Sequence, residues 1–123
     1  MTGFFDTNIV IDFLNGVPEA QVATAPYSRR CISRITWMEV LAGVKDTPGE
    51  DIARTFLAQF DVIEITEAVS EAALTLRRHH VPKLQLPDAI ILASARLLGC
   101  RLTTRNTRDF PADSADASVP YVR

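Results

Sequence analysis

An apolar run that ends in a carboxylate opens the chain and is the feature that most constrains its fold. Phe4 and Phe5 lead directly into Asp6, and the apolar residues that follow Asn8 recur at helical spacing. This pattern predicts a short buried strand that ends at Asp6 and a helix that begins just after it. Ligands of open parallel sheets bind beyond the carboxyl ends of the strands, so Asp6 is either a helix cap or part of a site.

Short apolar runs alternate with amphipathic segments along the rest of the chain. We predict strands over 30–33, 62–65, 100–103 and 119–122, helices over 7–15, 36–44, 50–60, 66–80 and 87–98, and a polar loop over 104–113. Strands that alternate with helices imply right-handed crossovers and a parallel sheet covered on both faces. We therefore expect a single α/β domain over residues 1–123.

Composition and charge exclude several classes of protein. The net charge of −2 argues against a broad basic surface for nucleic acid, although not against an enzyme that handles nucleic acid locally. No apolar run approaches the roughly 20 residues needed to span a bilayer, and the start lacks the features of a secretory signal. The two cysteines have neither the number nor the spacing of a zinc site. We expect a cytoplasmic protein with no membrane contact and with buried free thiols.

The arginines are grouped in sequence. They fall at Arg29, Arg30 and Arg34, at 77–78, and within 101–108. Groups of this kind can bind phosphates, and they can equally form solvated faces of loops and helices. The sequence leaves both interpretations open.

Acids stand at the points where a predicted strand is followed by a helix or loop: Asp6, Glu39, Asp88 and Asp109. Each has a plain structural explanation. Asp6 can cap the first helix, and Glu39 completes a capping box opened by Thr36. Asp88 suits the first turn of a helix, where the helix dipole favours an acid, and Asp109 is an ordinary loop acid.

The set of acids is more specific than its members. In a parallel sheet the carboxyl ends of the strands share one edge, so carboxylates far apart in sequence can converge there. Like charges brought together raise one another's pKa unless a cation intervenes. Clustered carboxylates with an Asn, and with no cysteine or well-placed His pair, suit a hard cation with oxygen ligands, Mg²⁺ or Mn²⁺.

Four segments carry a family resemblance: Phe5-Asp6-Thr7-Asn8, 35–43, 86–95 and 102–110. With these motifs in this order, the chain resembles PIN-domain ribonucleases of the VapC toxin type, from bacterial toxin–antitoxin pairs. The resemblance implies a three-layer α/β/α fold with a short parallel sheet, and a metal-dependent endoribonuclease that cleaves single-stranded regions of RNA. It also implies a homodimer and a cognate VapB-type antitoxin that blocks the site.

The resemblance also implies roles for individual acids. Asp6, Glu39 and Asp88 match the acids that hold the metal in that family, with help from the fourth segment. We expect Asp6 and Asp88 to be direct ligands, and Glu39 to be a ligand or to hold a metal-bound water. Many relatives carry Asp where this chain has Asn106, so we predict that Asp109 supplies the fourth acid and that Asn106 orients it. Whether one or two ions bind stays open.

Three other polar residues are expected to support this site. Asn8 is predicted to brace the loop at Asp6 by hydrogen bonds rather than to meet substrate. Thr104 or Arg105 is a candidate contact for the scissile phosphate.

Two alternative functions compete with this interpretation. A phosphatase of the HAD type also starts from an Asp at a strand end, but it needs a second Asp two residues later, and position 8 is Asn. A non-catalytic α/β interaction module, whose acids are only helix caps, would have no tight metal site.

The aromatic residues of one predicted face suggest association with another chain. Trp37, Phe56, Leu57 and Phe60 offer more apolar surface than a small sheet needs to cover one side. We predict that part of this surface is shared with a second copy or with an antitoxin helix.

Overall fold

The computed structural model describes residues 1–111 and 114–123, where the chain forms a parallel sheet. The strands are β1 (Thr2–Phe5), β2 (Arg29–Ser33), β3 (Asp61–Ile63), β4 (Leu102–Thr103) and β5 (Ala117–Ser118). All neighbouring strands are parallel and lie in the order β3-β2-β1-β4-β5. The carboxyl ends of β1, β2 and β4 therefore meet at one edge of the sheet.

Helices in the described residues make the connections between strands. They are α1 (Thr7–Leu14), α2 (Pro18–Thr24), α3 (Arg34–Ala42), α4 (Thr47–Leu57), α5 (Glu67–His79) and α6 (Leu86–Leu97). Within residues 1–111 and 114–123, no helix combines the length and apolar character needed to cross a bilayer.

Alternation of side chains along the strands creates one core on each side of the sheet. Phe4 of β1 and Cys31 of β2 pack into the core that α5 and α6 cover. Phe5 and Ile32, the next residues along, pack into the core that α1, α3 and α4 cover. All of them are fully buried. The predicted three-layer α/β/α arrangement around a short parallel sheet is confirmed.

The predicted start of the helix that carries Glu39 is wrong by two residues. Helix α3 begins at Arg34, and Ser33 is its cap, with a side chain that accepts an amide hydrogen of the first turn at 3.1 Å. Thr36 lies inside the helix and is fully buried. Glu39 consequently lies beyond the first turn and does not complete a capping box, so its main structural explanation is removed.

Two other boundaries differ from the prediction for identifiable reasons. Helix α4 begins at Thr47, not at 50, because the Asp46 side chain caps it by accepting the Gly49 amide hydrogen at 2.8 Å. The last strand lies at Ala117–Ser118 and not at 119–122. The Thr104 amide donates to the Ser118 carbonyl at 3.0 Å, which pairs β5 with the end of β4. The last two residues of the loop predicted over 104–113 lie outside the described part of the chain.

The aromatic surface predicted for association is largely used inside the protein. Leu57 and Phe60 are only 2% and 6% exposed. The Phe56 ring packs edge-on against Phe13, with centroids 5.1 Å apart, and against Phe60 at 5.5 Å. Trp37 is covered by two guanidinium groups, from Arg34 and Arg54. Most of this surface therefore belongs to the core beneath α4, and the sharing of its remainder with a second copy or an antitoxin helix stays a prediction.

Candidate active site

Asp6 lies at the end of β1, where the chain turns into α1, and it is almost fully buried. Its Oδ1 accepts the Thr7 amide hydrogen at 2.7 Å, as an N-cap does. Its Oδ2 accepts the hydroxyl of Thr104 at 2.7 Å, from the residue that follows β4. Capping thus explains one oxygen of Asp6, and the other ties α1 to the end of the neighbouring strand.

Thr7 connects Glu39 to this edge of the sheet. Its hydroxyl donates to Glu39 Oε1 at 2.6 Å and lies 2.9 Å from the hydroxyl of Thr36. Glu39 itself is exposed. Sequence reasoning did not assign this role to Thr7, although the residue stands in the first motif directly after Asp6.

Asp88 is half-buried in the first turn of α6. Its pKa is raised to about 6, chiefly because burial disfavours the charged form. Three other carboxylates raise the pKa further: Asp6, Asp109 and Glu39. The positive charge of Arg108 acts in the opposite direction. The predicted acids therefore lie close enough to act on one another electrostatically.

The pKa of Asp6 is also raised, first by burial and to a smaller extent by the charges of Glu39 and Asp109. The hydrogen bonds from Thr104 and Thr7 partly offset this rise, because they stabilise the ionised form. The ionised form of Asp6 thus remains destabilised although two donors hold it. A bound cation would stabilise this charge.

Asp109 is buried and is fixed by Asn106. The Asn106 Nδ2 donates to Asp109 Oδ2 at 2.8 Å, and the Asp109 amide donates to Asn106 Oδ1 at 3.1 Å. The loop turns as a helix does, since the Phe110 amide donates to the Asn106 carbonyl at 3.2 Å. The expected orientation of Asp109 by Asn106 agrees with this geometry, and a role of either residue toward a metal stays a prediction.

Asn8 and Thr104 form hydrogen bonds that hold Asp6 and the loop that follows β4. The Asn8 Oδ1 accepts the Arg105 amide hydrogen at 3.1 Å, and its Nδ2 lies 3.4 Å from the Thr104 hydroxyl oxygen. The Thr104 hydroxyl also accepts the Asn106 amide hydrogen at 3.0 Å, and it donates its own hydrogen to Asp6. Thr104 is fully buried. This arrangement favours a role for Thr104 in holding Asp6, not in touching a phosphate.

Asp12 is a central residue that sequence reasoning missed. This carboxylate is only 3% exposed and accepts hydrogen bonds from Arg105 Nε at 2.7 Å, Tyr121 Oη at 2.8 Å and Arg123 Nη1 at 3.0 Å. Burial, followed by the hydrogen bond to Asp12, raises the pKa of Tyr121 to about 12. Arg105 is therefore engaged by Asp12, which does not favour the phosphate contact predicted for it.

The donor set suits a hard cation, although its side chains are not gathered around one point. As they stand, no three acidic, histidine or cysteine side chains of residues 1–111 and 114–123 are grouped to hold one ion. The donors offered are carboxylates and one amide oxygen, the ligands that Mg²⁺ and Mn²⁺ prefer. Asp6 and Asp109 are buried and fixed by hydrogen bonds, whereas Asp88 is half-buried and Glu39 is exposed, with its Oε1 held by Thr7.

A family model described as the PIN domain matches residues 3–112, which include every acid of this edge. The chain belongs to the PIN-domain family. No curated protein matches the chain. Solved structures do: a toxin–antitoxin complex from Klebsiella pneumoniae contains a chain that is 43% identical, with a TM-score of 0.89 over 98% of this chain and 99% of that one.

More distant structures share the same PIN-like fold. FitAcB from Neisseria gonorrhoeae has a TM-score of 0.77 at 20% identity, with 98% of both chains covered. A DNA-bound VapBC from Salmonella typhimurium has a TM-score of 0.72 at 22% identity, with 96% of both chains covered. These two similarities confirm the fold. The family match and the 43% identical chain confirm the resemblance to PIN domains of toxin–antitoxin pairs, and they leave the HAD-type alternative without support.

Proposed function

We propose that this PIN domain is a divalent-metal-dependent endoribonuclease that cleaves single-stranded regions of RNA, and that it is the toxin of a VapBC-type pair. The observation that carries the proposal is the mutual influence of the four acids at one sheet edge, which contributes to the raised pKa of Asp88. Helix capping alone does not require four carboxylates from distant segments to lie close enough to interact electrostatically. A cation site requires its carboxylate ligands to lie close together.

In this proposal Asp6 and Asp88 hold a Mg²⁺ or Mn²⁺ ion, and Glu39 and Asp109 complete the set. When bound, the ion would activate water and offset charge on the phosphoryl oxygens. The protein's own contribution is to fix the ligands. Thr104 and the Thr7 amide hold both oxygens of Asp6.

The other two acids are held in different ways. Asn106 immobilises Asp109 through two hydrogen bonds, so that this carboxylate would enter the site already oriented. Thr7 holds one oxygen of Glu39 and leaves the other for an ion or a water. Ordered ligands lower the entropy lost when an ion binds, and ligand-orienting partners typically affect metal affinity about 10- to 100-fold.

A VapB-type antitoxin is the partner we propose, because a solved structure that contains a 43% identical chain is a toxin–antitoxin complex. A groove of about 380 Å³ lies beside Glu39. Its apolar lining includes Ile11, Leu14, Val40 and Val44. An apolar segment laid in this groove would cover Glu39 and block access to the acids. A homodimer stays a prediction, and sedimentation of the purified protein tests it.

A cleavage assay with metal control tests the proposed function. Labelled single-stranded RNA is incubated with the purified protein in Mn²⁺, in Mg²⁺ or in EDTA. We expect internal cleavage in either metal and none in EDTA. Absence of cleavage in both metals, together with no rise in melting temperature in Mn²⁺, would favour the non-catalytic module instead.

A further inference from the structure

Arg108 is a cation at the rim of the candidate site. Its side chain is 85% exposed, and its Nε lies 3.7 Å from Asp109 Oδ1, which is beyond hydrogen-bond distance. Its charge also acts on Asp88 in the first turn of α6. Arg108 thus places an exposed positive charge beside Asp109.

Other arginines near this edge of the sheet are already engaged. Arg34, which follows β2, makes a two-pronged ion pair with Glu64, with Nε 2.9 Å from Oε1. Arg105 is held by Asp12. Arg108 sits in the turn that Asn106 and Asp109 stabilise, so its backbone is fixed while its guanidinium is not.

We infer that Arg108 binds a backbone phosphate of single-stranded RNA and guides the strand onto the acidic edge. The inference rests on the proposed function, since it takes RNA as the substrate. RNA is strongly anionic, and a carboxylate-rich edge repels it unless a cation stands close by. A guanidinium presents paired N–H donors that match two phosphate oxygens. An exposed, long ion pair contributes little, so Arg108 can turn from Asp109 to a phosphate without losing a strong contact.

The plain alternative is that Arg108 only offsets the charge of Asp109 and Asp88. The two roles have different consequences. A charge-balancing residue affects Mn²⁺ affinity but makes no contact with RNA, so its removal leaves the salt dependence of RNA turnover unchanged. A phosphate contact releases counterions, so its removal makes turnover less sensitive to salt.

Arg78 provides a matched control. It is an exposed arginine in the last turn of α5. Arg108→Ala and Arg78→Ala therefore remove the same charge from the turn that carries Asp109 and from a helix that carries none of the four acids.

The test measures kcat/KM for a labelled single-stranded oligoribonucleotide at saturating Mn²⁺, between about 50 and about 200 mM KCl. We expect Arg108→Ala to lower kcat/KM roughly tenfold at the lower salt concentration, as for loss of one charged hydrogen-bonded contact. The slope of log kcat/KM against log salt should become shallower by about 0.7, the value for one phosphate on a single strand. Arg108→Lys should retain the slope, and Arg78→Ala should match the wild type.

The outcomes separate this inference from the proposed function. A wild-type slope for Arg108→Ala, or an equal change for Arg78→Ala, would overturn the inference and leave the nuclease intact. A change in Mn²⁺ affinity alone would assign Arg108 to charge balance. A wild-type protein that cleaves no RNA in any metal would remove the proposed function and the inference together. Circular dichroism of each variant, whose substitution lies at an exposed residue, verifies the fold.

Discussion

Arg105 Nε lies 2.7 Å from Asp12 Oδ2, and this partly buried ion pair joins α1 to the loop that follows β4. Arg123 reaches the other oxygen of Asp12, so the segment after β5 is attached to the same carboxylate. The loop that begins at Thr104 contains Asp109. Asp12 therefore supports the backbone on which a predicted metal ligand is carried.

Replacement of Asp12 by Asn should destabilise the protein. The variant keeps the shape of the side chain but removes the charge that holds Arg105 and Arg123, and the expected loss is about 2 kcal/mol in the free energy of unfolding. Urea denaturation measures it. Asp116→Asn is the control, because Asp116 pairs with Arg96 in a more exposed ion pair and should cost less than about 1 kcal/mol. Equal losses in the two variants would contradict a special role for Asp12.

Asn106 and Asp109 can be separated by their effects on metal binding. We expect Asp109→Asn to lower Mn²⁺ affinity and to impair cleavage, because it removes the negative charge of a predicted ligand. Asn106→Ala should have a smaller effect, because it loosens Asp109 without removing its charge. Titration calorimetry with Mn²⁺ measures both affinities. Loss of affinity in Asn106→Ala with normal affinity in Asp109→Asn would reverse the assignment.

The raised pKa of Asp88 predicts a dependence of stability on pH. In the folded protein this pKa is about 6, against an ordinary value of 3.8. The folded state therefore holds a proton more tightly than the unfolded state, and folding stability falls as the pH rises from about 4 through about 6. Without metal, the melting temperature should fall between about pH 4 and about pH 6. The fall should be smaller in Asp88→Asn, and a profile identical to the wild type would argue against the shift.

Local patterns in the sequence were sufficient to predict the layers of the fold. The apolar run before Asp6 and the cap at Thr66 each mark a boundary within a few residues, and both are found where predicted. The start of α3 was harder, because Ser33 and Thr36 are both good caps. Ser33 is the cap because it is also the last residue of β2, where it pairs with Ile63 of β3. The local sequence does not reveal which residues of the two strands pair. The extent of a single domain over 1–123 stays a prediction.

The positions of the four acids and the pairing of Asn106 with Asp109 follow from local features of the sequence, whereas the partners of Asp12 do not. Each acid follows an apolar run or opens a helix, which is a local feature. The partners of Asp12 stand at Arg105, Tyr121 and Arg123, more than 90 positions away along the chain, and no periodicity links them. The packing of Phe13 against Phe56 was not predictable for a similar reason, because it forms only once α1 is placed beside α4.

Replacement of Asp6 by Asn is the measurement that tests the central claim most directly. Asp61→Asn is its control, since Asp61 is an exposed acid of β3 that pairs with Arg29 of β2. We predict that Asp6→Asn loses cleavage of single-stranded RNA in Mn²⁺, while circular dichroism stays unchanged because a buried, repelled charge has been removed. Asp61→Asn should cleave as the wild type does. Cleavage by Asp6→Asn at the wild-type rate would contradict the assignment of this sheet edge as a metal-dependent nuclease site.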